Sequence, residues 1–456
     1  MTATTKAIAH TLREIVGEES VASDKALVQA EAKVAQALLP GTAINCIVYP
    51  KTQAELSEVM ACVHRNQWHV LPCGSGTKLD WGGLAEGIDL IVSTERLNRL
   101  IDHAAGDLTV TVEAGLKFID LQTILAKAGQ FLALDPAYSD LATVGGIVAT
   151  RDAGSLRQQY GGVRDIALGV AFARADGQLV KAGGRVVKNV AGYDLVKLLS
   201  GSFGTLGIIS EVTFRVYPLP EASKTILLTG VPAAIAEATR TLTASVLTPT
   251  AVDLVSAQAL AQLGRTAPLA LVARFQSLQT SVDEQATSLL KTAQALGLKE
   301  EVLVEREEAS FWQQIHNLFW RSPSQTDQSA VCKLGVLPAR AITTLIAMDS
   351  IARQNELTCT SLIHAGSGLG LMRLEGALPE ISQSIPAVRA LCEQGDGISD
   401  YGRKHGFLSI LSAPPALKQK LDVWGYPGNA LELMRKIKEQ FDPQHLLSPN
   451  RFIGRI

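Results

Sequence analysis

Apolar positions recur along the chain with two periods. From Gln53 to Asn66, Leu56, Val59, Met60 and Val63 fall three and four residues apart, and Thr52 stands where an N-cap belongs. This predicts a helix with one buried face. From Leu108 to Glu113 apolar and polar residues alternate, which predicts a half-buried strand. Short apolar runs at Ala43–Val48, Trp68–Leu71, Ile88–Ser93, Ile166–Ala173 and Ile208–Val216 predict further strands. Helical spacing marks Phe118–Ala128, Leu195–Leu199 and a segment that Ser23 and Asp24 would cap, ending at Ala37. Ala175-Asp176-Gly177 predicts the turn of a hairpin returning through Leu179–Ala182. The fold class read from this is α+β, with short strands separated by helices.

Two stretches break the pattern. Val70–Gly83 reads VLPCGSGTKLDWGG, an apolar run that meets proline and then a string of small residues. Without bulky Cβ substituents, successive backbone N–H groups can converge on one anion, phosphate being the usual one. Leu134–Ser155 likewise holds few bulky side chains, with Gly145-Gly146, Ala149-Thr150 and Ala153-Gly154 allowing close approach of something flat. After Pro218 and Pro220 ordinary mixed patterns resume, which sets a domain boundary there. Strands are expected at Lys224–Leu228, Val252–Leu254, Leu269–Arg274, Cys332–Leu337, Leu362–Ala365 and Leu408–Ser412. Helices are expected at Ala233–Ser245, Val282–Leu296, Ala339–Ala352 and Asn429–Phe441. This alternation predicts an antiparallel sheet with helices on one face. The expected organisation is 1–220 (core 41–220), 221–415, and a C-terminal segment 416–456 returning to the first domain.

Composition narrows the function. The chain has 456 residues, 47% of them hydrophobic and 19% charged, with a net charge of −2. That balance argues against a nucleic-acid or anionic-membrane surface. The six cysteines include no CxxC pair, which argues against an iron–sulfur or zinc site in this chain and fits a reducing, cytoplasmic compartment. No signal peptide and no run of membrane-spanning length is read, so attachment to a membrane would come through partners.

The order of motifs is specific. PCGSGT (Pro72–Thr77) is followed by DPAYSDLATVGGIVATRDAGS (Asp135–Ser155) and YGGVRD (Tyr160–Asp165). Then come KNVAGYDLVKLLSGSFGTLGIISEVTFRVYPLP (Lys188–Pro220) and FDPQHLLSPNRF (Phe441–Phe452). From about Pro50 onward this resembles the vanillyl-alcohol-oxidase/p-cresol-methylhydroxylase (PCMH) type of FAD-binding proteins. KNVAGYD, GSFGTLG and Trp424-Gly425 resemble the E-type FAD-binding subunits of glycolate oxidase. The resemblance implies a two-lobed PCMH-type FAD domain with the dinucleotide between the lobes. The flavin ring would face an α+β cap domain with an antiparallel sheet.

By resemblance, Pro72, Cys73, Gly74, Ser75, Gly76 and Thr77 wrap the pyrophosphate. Pro136, Thr143, Val144, Gly145, Gly146, Ala149 and Gly154 match residues beside flavin and pyrophosphate. Gly161 and Asp165 match the segment after them, and Gly207 and Ile208 a backbone contact. Relatives often carry Arg and an extra Gly where this chain has Cys73 and Ser75. Some attach flavin through a histidine in this loop, and none lies between Pro72 and Lys78. Non-covalent FAD is therefore expected, with a Cys73 thioether the minor alternative. Asn189 and Tyr193, in a polar run with Lys188 and Asp194, are expected to hold hydrogen bonds near the flavin.

Relatives that oxidise 2-hydroxy acids carry His-x-Gly-Asp-Gly-Asn-x-His, a metal or substrate-carboxylate site. Here the stretch reads His364-Ala365-Gly366-Ser367-Gly368-Leu369-Gly370-Leu371. One histidine makes a poor metal site, so no metal is expected and His364 is a weak catalytic candidate. The glycines lack the helix and ribose acid of a nicotinamide site. His405 and Arg389 read as a solvated turn and a surface helix residue. Phe311, Trp312, Phe319 and Trp320, at helical spacing, read as core or interface.

The leading expectation is the FAD-binding subunit of a glycolate oxidase or dehydrogenase complex. The resemblance implies oxidation of a 2-hydroxy acid through flavin, with electrons passed to an iron–sulfur subunit. A homologous D-type flavoprotein subunit is the other expected partner. Two alternatives remain: a self-sufficient FAD-dependent oxidase or dehydrogenase of another alcohol, and a non-catalytic FAD-holding subunit.

Overall fold

The computed structural model describes residues 3–23, 34–185, 192–320, 328–394, 405–425 and 428–456. The expected helix 24–37 falls largely outside them, as do Lys188 and Asn189. The described chain forms two units. One comprises Met1–Ala153, Gly162–Leu219 and Pro427–Ile456; the other comprises Gly154–Gly161 and Pro220–Tyr426.

The first unit contains two lobes. In one, strands β1 (Val21–Ala22), β2 (Cys46–Val48), β3 (Val70–Cys73) and β4 (Leu90–Ser93) lie in the order β1-β2-β4-β3. β4 runs parallel to both β2 and β3. A parallel neighbour needs a crossover, and the helix Gln53–Asn66 supplies it between β2 and β3. Thr52 Oγ1 accepts from Glu55 N at its start, and Leu56, Val59, Met60, Cys62 and Val63 are buried. In the other lobe, β5 (Leu100–Ala104), β6 (Thr109–Glu113), β8 (Ala167–Ala173), β9 (Leu179–Gly183) and β10 (Ile208–Arg215) form an antiparallel sheet, ordered β5-β6-β10-β8-β9. A short ribbon pairs β7 (Gln130–Phe131) with β11 (Tyr217–Pro218).

β6 departs from expectation, because all five of its residues are buried rather than alternate ones. Two of its polar positions have partners: the Thr111 hydroxyl lies 2.9 Å from that of Thr213 on β10, and Glu113 accepts from Arg99. β5, with two exposed leading residues, carries no alternation to announce it.

In the second unit β12 (Ala222–Thr229), β13 (Ala251–Ser256), β14 (Leu269–Ser277), β15 (Lys299–Val304), β16 (Gln328–Gly335), β17 (Thr358–His364), β18 (Leu369–Gly376) and β19 (Phe407–Ser412) make one antiparallel sheet. The order is β15-β12-β14-β13-β17-β18-β16-β19. Helices Pro232–Ala244, Gln279–Ala295, Ala341–Gln354 and Leu378–Glu393 share a core with Ile226, Leu228, Val252 and Leu254. Leu227, Ala251, Val255 and Val272, which point to the opposite face by strand alternation, pack with Leu260, Phe311, Trp312 and Phe319. Helices therefore cover both faces, not the one expected. Buried Glu308 ties the second layer down by accepting from Ser223, Thr225 and Arg274.

Candidate cofactor cleft and the residues that build it

In the first unit β3 ends at Cys73 and the chain turns through Gly74–Lys78. Ser75 Oγ donates to the Leu141 carbonyl at 2.6 Å, tying this loop to the segment that begins the helix Val144–Thr150. Gly74 lies against Thr143: a Cβ there would stand 2.0 Å from Thr143 Oγ1. Gly145 packs on Ala114, and a Cβ would stand 2.7 Å from the Ala114 Cβ. The loop and the helix start are thus pressed together through glycine.

Between them and the start of β10 lies a cleft. Its walls include Pro72–Thr77, Thr143, Gly145, Gly146, Ala149, Gly207 and Ile208. The remaining expected residues lie elsewhere. Val144 is 1% exposed and packs in the lobe core instead, because it sits on the inward face of its helix. Asp165 accepts from Gly162 N at 2.8 Å and caps the short helix Val163–Ile166. Pro136 is buried outside the cleft walls, and Gly154 and Gly161 belong to the second unit.

Thr150, read with Ala149 as a place of close approach, also lines the cleft, and so do Lys78, Thr94, Phe203, Gly204 and Arg451, to which the sequence reading gave no cofactor contact. Lys78 directly follows the small-residue run, and that adjacency was its only signal. Arg451 stands some 370 positions further along, and its signal was membership of the motif FDPQHLLSPNRF, which named no cofactor contact.

The cleft's donors come from the loop. The amides of Ser75, Gly76 and Thr77 donate to no carbonyl among the described residues; the next amide that does is Leu79's, to Gly76. By contrast the first amides of the glycine-rich helix, Val144 and Gly145, are taken by the Leu116 and Ala114 carbonyls. Two cations adjoin these amides. Arg451 Nη2 donates to the Leu79 and Trp81 carbonyls at 2.6 and 3.1 Å, holding the loop's exit. Burial lowers the Arg451 pKa to about 10, which leaves it charged at neutral pH. Lys78 is buried with its Nζ 2.9 Å from Asp152 Oδ2, yet it is left without a directed hydrogen bond. A buried ammonium with poorly directed bonding, beside three free amides, suits an anionic group with several acceptor oxygens. The residues present therefore fit the pyrophosphate of FAD.

Cys73 also lines the cleft, and burial pushes its thiol up to about 12. It is the thiol, not the thiolate, at neutral pH, and so a weak nucleophile.

The expected glycine turn after His364 is the bend of the β17–β18 hairpin in the second unit. There His364 Nδ1 lies 2.6 Å from Asp253 Oδ1, and Ser155 Oγ donates to Asp253 Oδ2 at 2.5 Å. Asp253 is fully buried. Among the described residues no group of three His, Cys, Asp or Glu side chains is placed to hold a metal ion. Tyr193 is 95% exposed, and Asp194 caps the helix Leu195–Leu199 through Lys197 N. Arg389 is structural, donating to the Leu408 and Asp422 carbonyls. Phe311, Trp312 and Phe319 are core.

The cleft lies mostly in the part of the chain that is similar to FAD-binding domains. Residues 44–183 match the family model described as FAD binding domain, and residues 424–452 the C-terminal domain of FAD linked oxidases. Among curated relatives, glycolate oxidase subunit GlcD of Bacillus subtilis is 23% identical over 90% of this chain and 89% of that one. Glycolate oxidase subunit GlcE of Escherichia coli is 38% identical over 33% of this chain and 43% of its own length. The mitochondrial cytochrome-type D-lactate dehydrogenase of Arabidopsis thaliana is 32% identical over 39% of this chain and 31% of its own length. For the last two, the chain therefore spans less than half of the relative. The solved structure of p-cresol methylhydroxylase superposes with a TM-score of 0.74, covering 99% of this chain and 97% of that one at 15% identity. The fold is thus PCMH-type, an α+β flavoprotein architecture.

Proposed function

We propose that the chain holds FAD non-covalently in this cleft and is the flavin-carrying subunit of a glycolate oxidase or dehydrogenase complex. The observation that carries the cofactor reading is the row of unengaged amides at Ser75–Thr77 beside the buried Lys78 ammonium. Bound FAD would supply a two-electron acceptor. The chain's own residues bind and orient it. The loop amides take the pyrophosphate oxygens. Gly145, Gly146 and Ala149 let the ligand approach the backbone, and Ile208 and Phe203 keep that wall apolar. The neutral Cys73 thiol and the lack of a histidine between Pro72 and Lys78 support non-covalent attachment.

The substrate class, a small 2-hydroxy acid, rests on likeness to proteins named for glycolate and D-lactate. Likeness to proteins named as glycolate oxidase subunits supports partners in a complex; the partners in this reading are a D-type flavoprotein subunit and an iron–sulfur subunit that accepts the electrons. The purified chain should be yellow, and acid denaturation should release free FAD. Glycolate or D-lactate, added anaerobically, should bleach the flavin in the assembled complex. A colourless chain that takes up no FAD overturns the proposal.

A second reading is an FAD-holding subunit whose substrate chemistry lies in the D-type partner. The pairing of His364 with Asp253, and the absence of a metal-ligand cluster among the described residues, favour it. Under this reading 2-hydroxy acids bleach the flavin of the complex but not that of the isolated chain.

A further inference from the structure

Lys78, on the cleft wall, forms a buried pair with Asp152 that the loop motif does not account for. The Lys78 side chain is 5% exposed and that of Asp152 13%. Asp152 is already engaged, since its Oδ2 accepts from Ala137 N at 2.8 Å. The same oxygen stands 2.9 Å from Lys78 Nζ, but the ammonium gains no directed hydrogen bond from it. The Trp81 ring lies 5.5 Å from Nζ and adds a second, diffuse attraction. Arg451, the other cation on this wall, is bound to backbone carbonyls. Lys78 is thus the cation on the cleft wall free to change partner, and its long flexible stem allows it to do so.

We propose that Asp152 is a stand-in counter-ion for Lys78, and that Lys78 transfers to the pyrophosphate when a dinucleotide enters. The inference rests on the FAD reading above and assigns a specific cation to it. An incoming diphosphate brings better-directed acceptors than Asp152 offers. It also brings like charge close to the Asp152 carboxylate, so Asp152 opposes binding in two ways: it holds the cation back and it repels the anion. Lys78 acts by binding, and no bond is made or broken in the exchange.

The test is a titration of apoprotein, stripped of flavin, with FAD at low and high salt, alongside melting of apoprotein and holoprotein. Charge-assisted contacts of this kind set the scale, so Lys78→Met should weaken FAD by about 10- to 100-fold and flatten the salt dependence. Lys78→Arg should restore part of the loss. Asp152→Asn keeps an acceptor for Ala137 N but removes the charge. It should bind FAD several-fold more tightly and show a larger FAD-induced rise in melting temperature than wild type. Lys78→Met with wild-type FAD affinity, or Asp152→Asn with weakened affinity, overturns the proposal. If Lys78→Met does not fold, Asp152→Asn decides alone. Failure of the wild-type chain to bind FAD would instead overturn the cofactor reading.

Discussion

At the residue scale, one buried charged pair is fully engaged. Lys438 Nζ donates to Asp442 Oδ2 at 2.6 Å and to the Thr205 and Leu447 carbonyls at 2.8 Å each. Asp442 also accepts from Leu446 N and Leu447 N. Removing one partner of such a pair leaves a buried charge, so Lys438→Met should cost about 3–5 kcal/mol of unfolding free energy in urea titration. Removing both charges, as Lys438→Met with Asp442→Asn, should cost less than the sum of the single changes. Cys332, Cys359 and Cys392 share the core of the second unit, and burial pushes each thiol up to about 12. Their folded values lie above the unfolded value of about 9, so the folded state keeps protons that the unfolded state releases. Their contribution is complete below about pH 9 and is lost as pH climbs toward 12. The urea midpoint should therefore fall steeply above pH 9, and Cys332→Ala with Cys359→Ala should flatten that fall.

At the element scale, the cleft depends on how closely β3 approaches the helix Val144–Thr150. Gly74→Val drives a side chain into Thr143, and Gly145→Leu drives one into Ala114. Each should abolish FAD retention after gel filtration while leaving far-ultraviolet circular dichroism unchanged; retained flavin would show that the approach is not needed. These glycines were legible in the sequence, because a run of small residues has little other use. So was the helix Gln53–Asn66, whose cap and face follow from local spacing. β18 was hidden, since Gly366, Gly368 and Gly370 read as a turn and only pairing with β16 and β17 makes Leu369–Gly376 a strand. Lys78 was passed over because a lysine after a glycine loop looks solvated until Asp152, far along the chain, is seen to bury with it. Asp253 left no local trace for the same reason: what defines it is its contacts with Ser155 and His364.

At the scale of the whole molecule, the first unit is built from three separate stretches of chain. A ligand that binds only the folded state stabilises it by mass action, about 2.7 kcal/mol at a concentration 100 times its dissociation constant. Calorimetry with and without FAD should show that gain in the transition of the unit carrying the cleft; a transition indifferent to FAD would place the cofactor elsewhere. A chain ending at Gly425 lacks Arg451 and the Lys438–Asp442 pair. It should retain no flavin, measured by absorbance after desalting.

The third stretch also fixes an order in time. Arg451 holds the loop exit beside Lys78, and Lys438 grips the Thr205 carbonyl close to Gly207. Emerging from the ribosome, the nascent chain exposes Gly74–Thr77 hundreds of residues before the parts that set their position are made. Loading with the dinucleotide thus waits on the third stretch: a chain arrested before residues 427–456 are made is expected to stay without its cofactor.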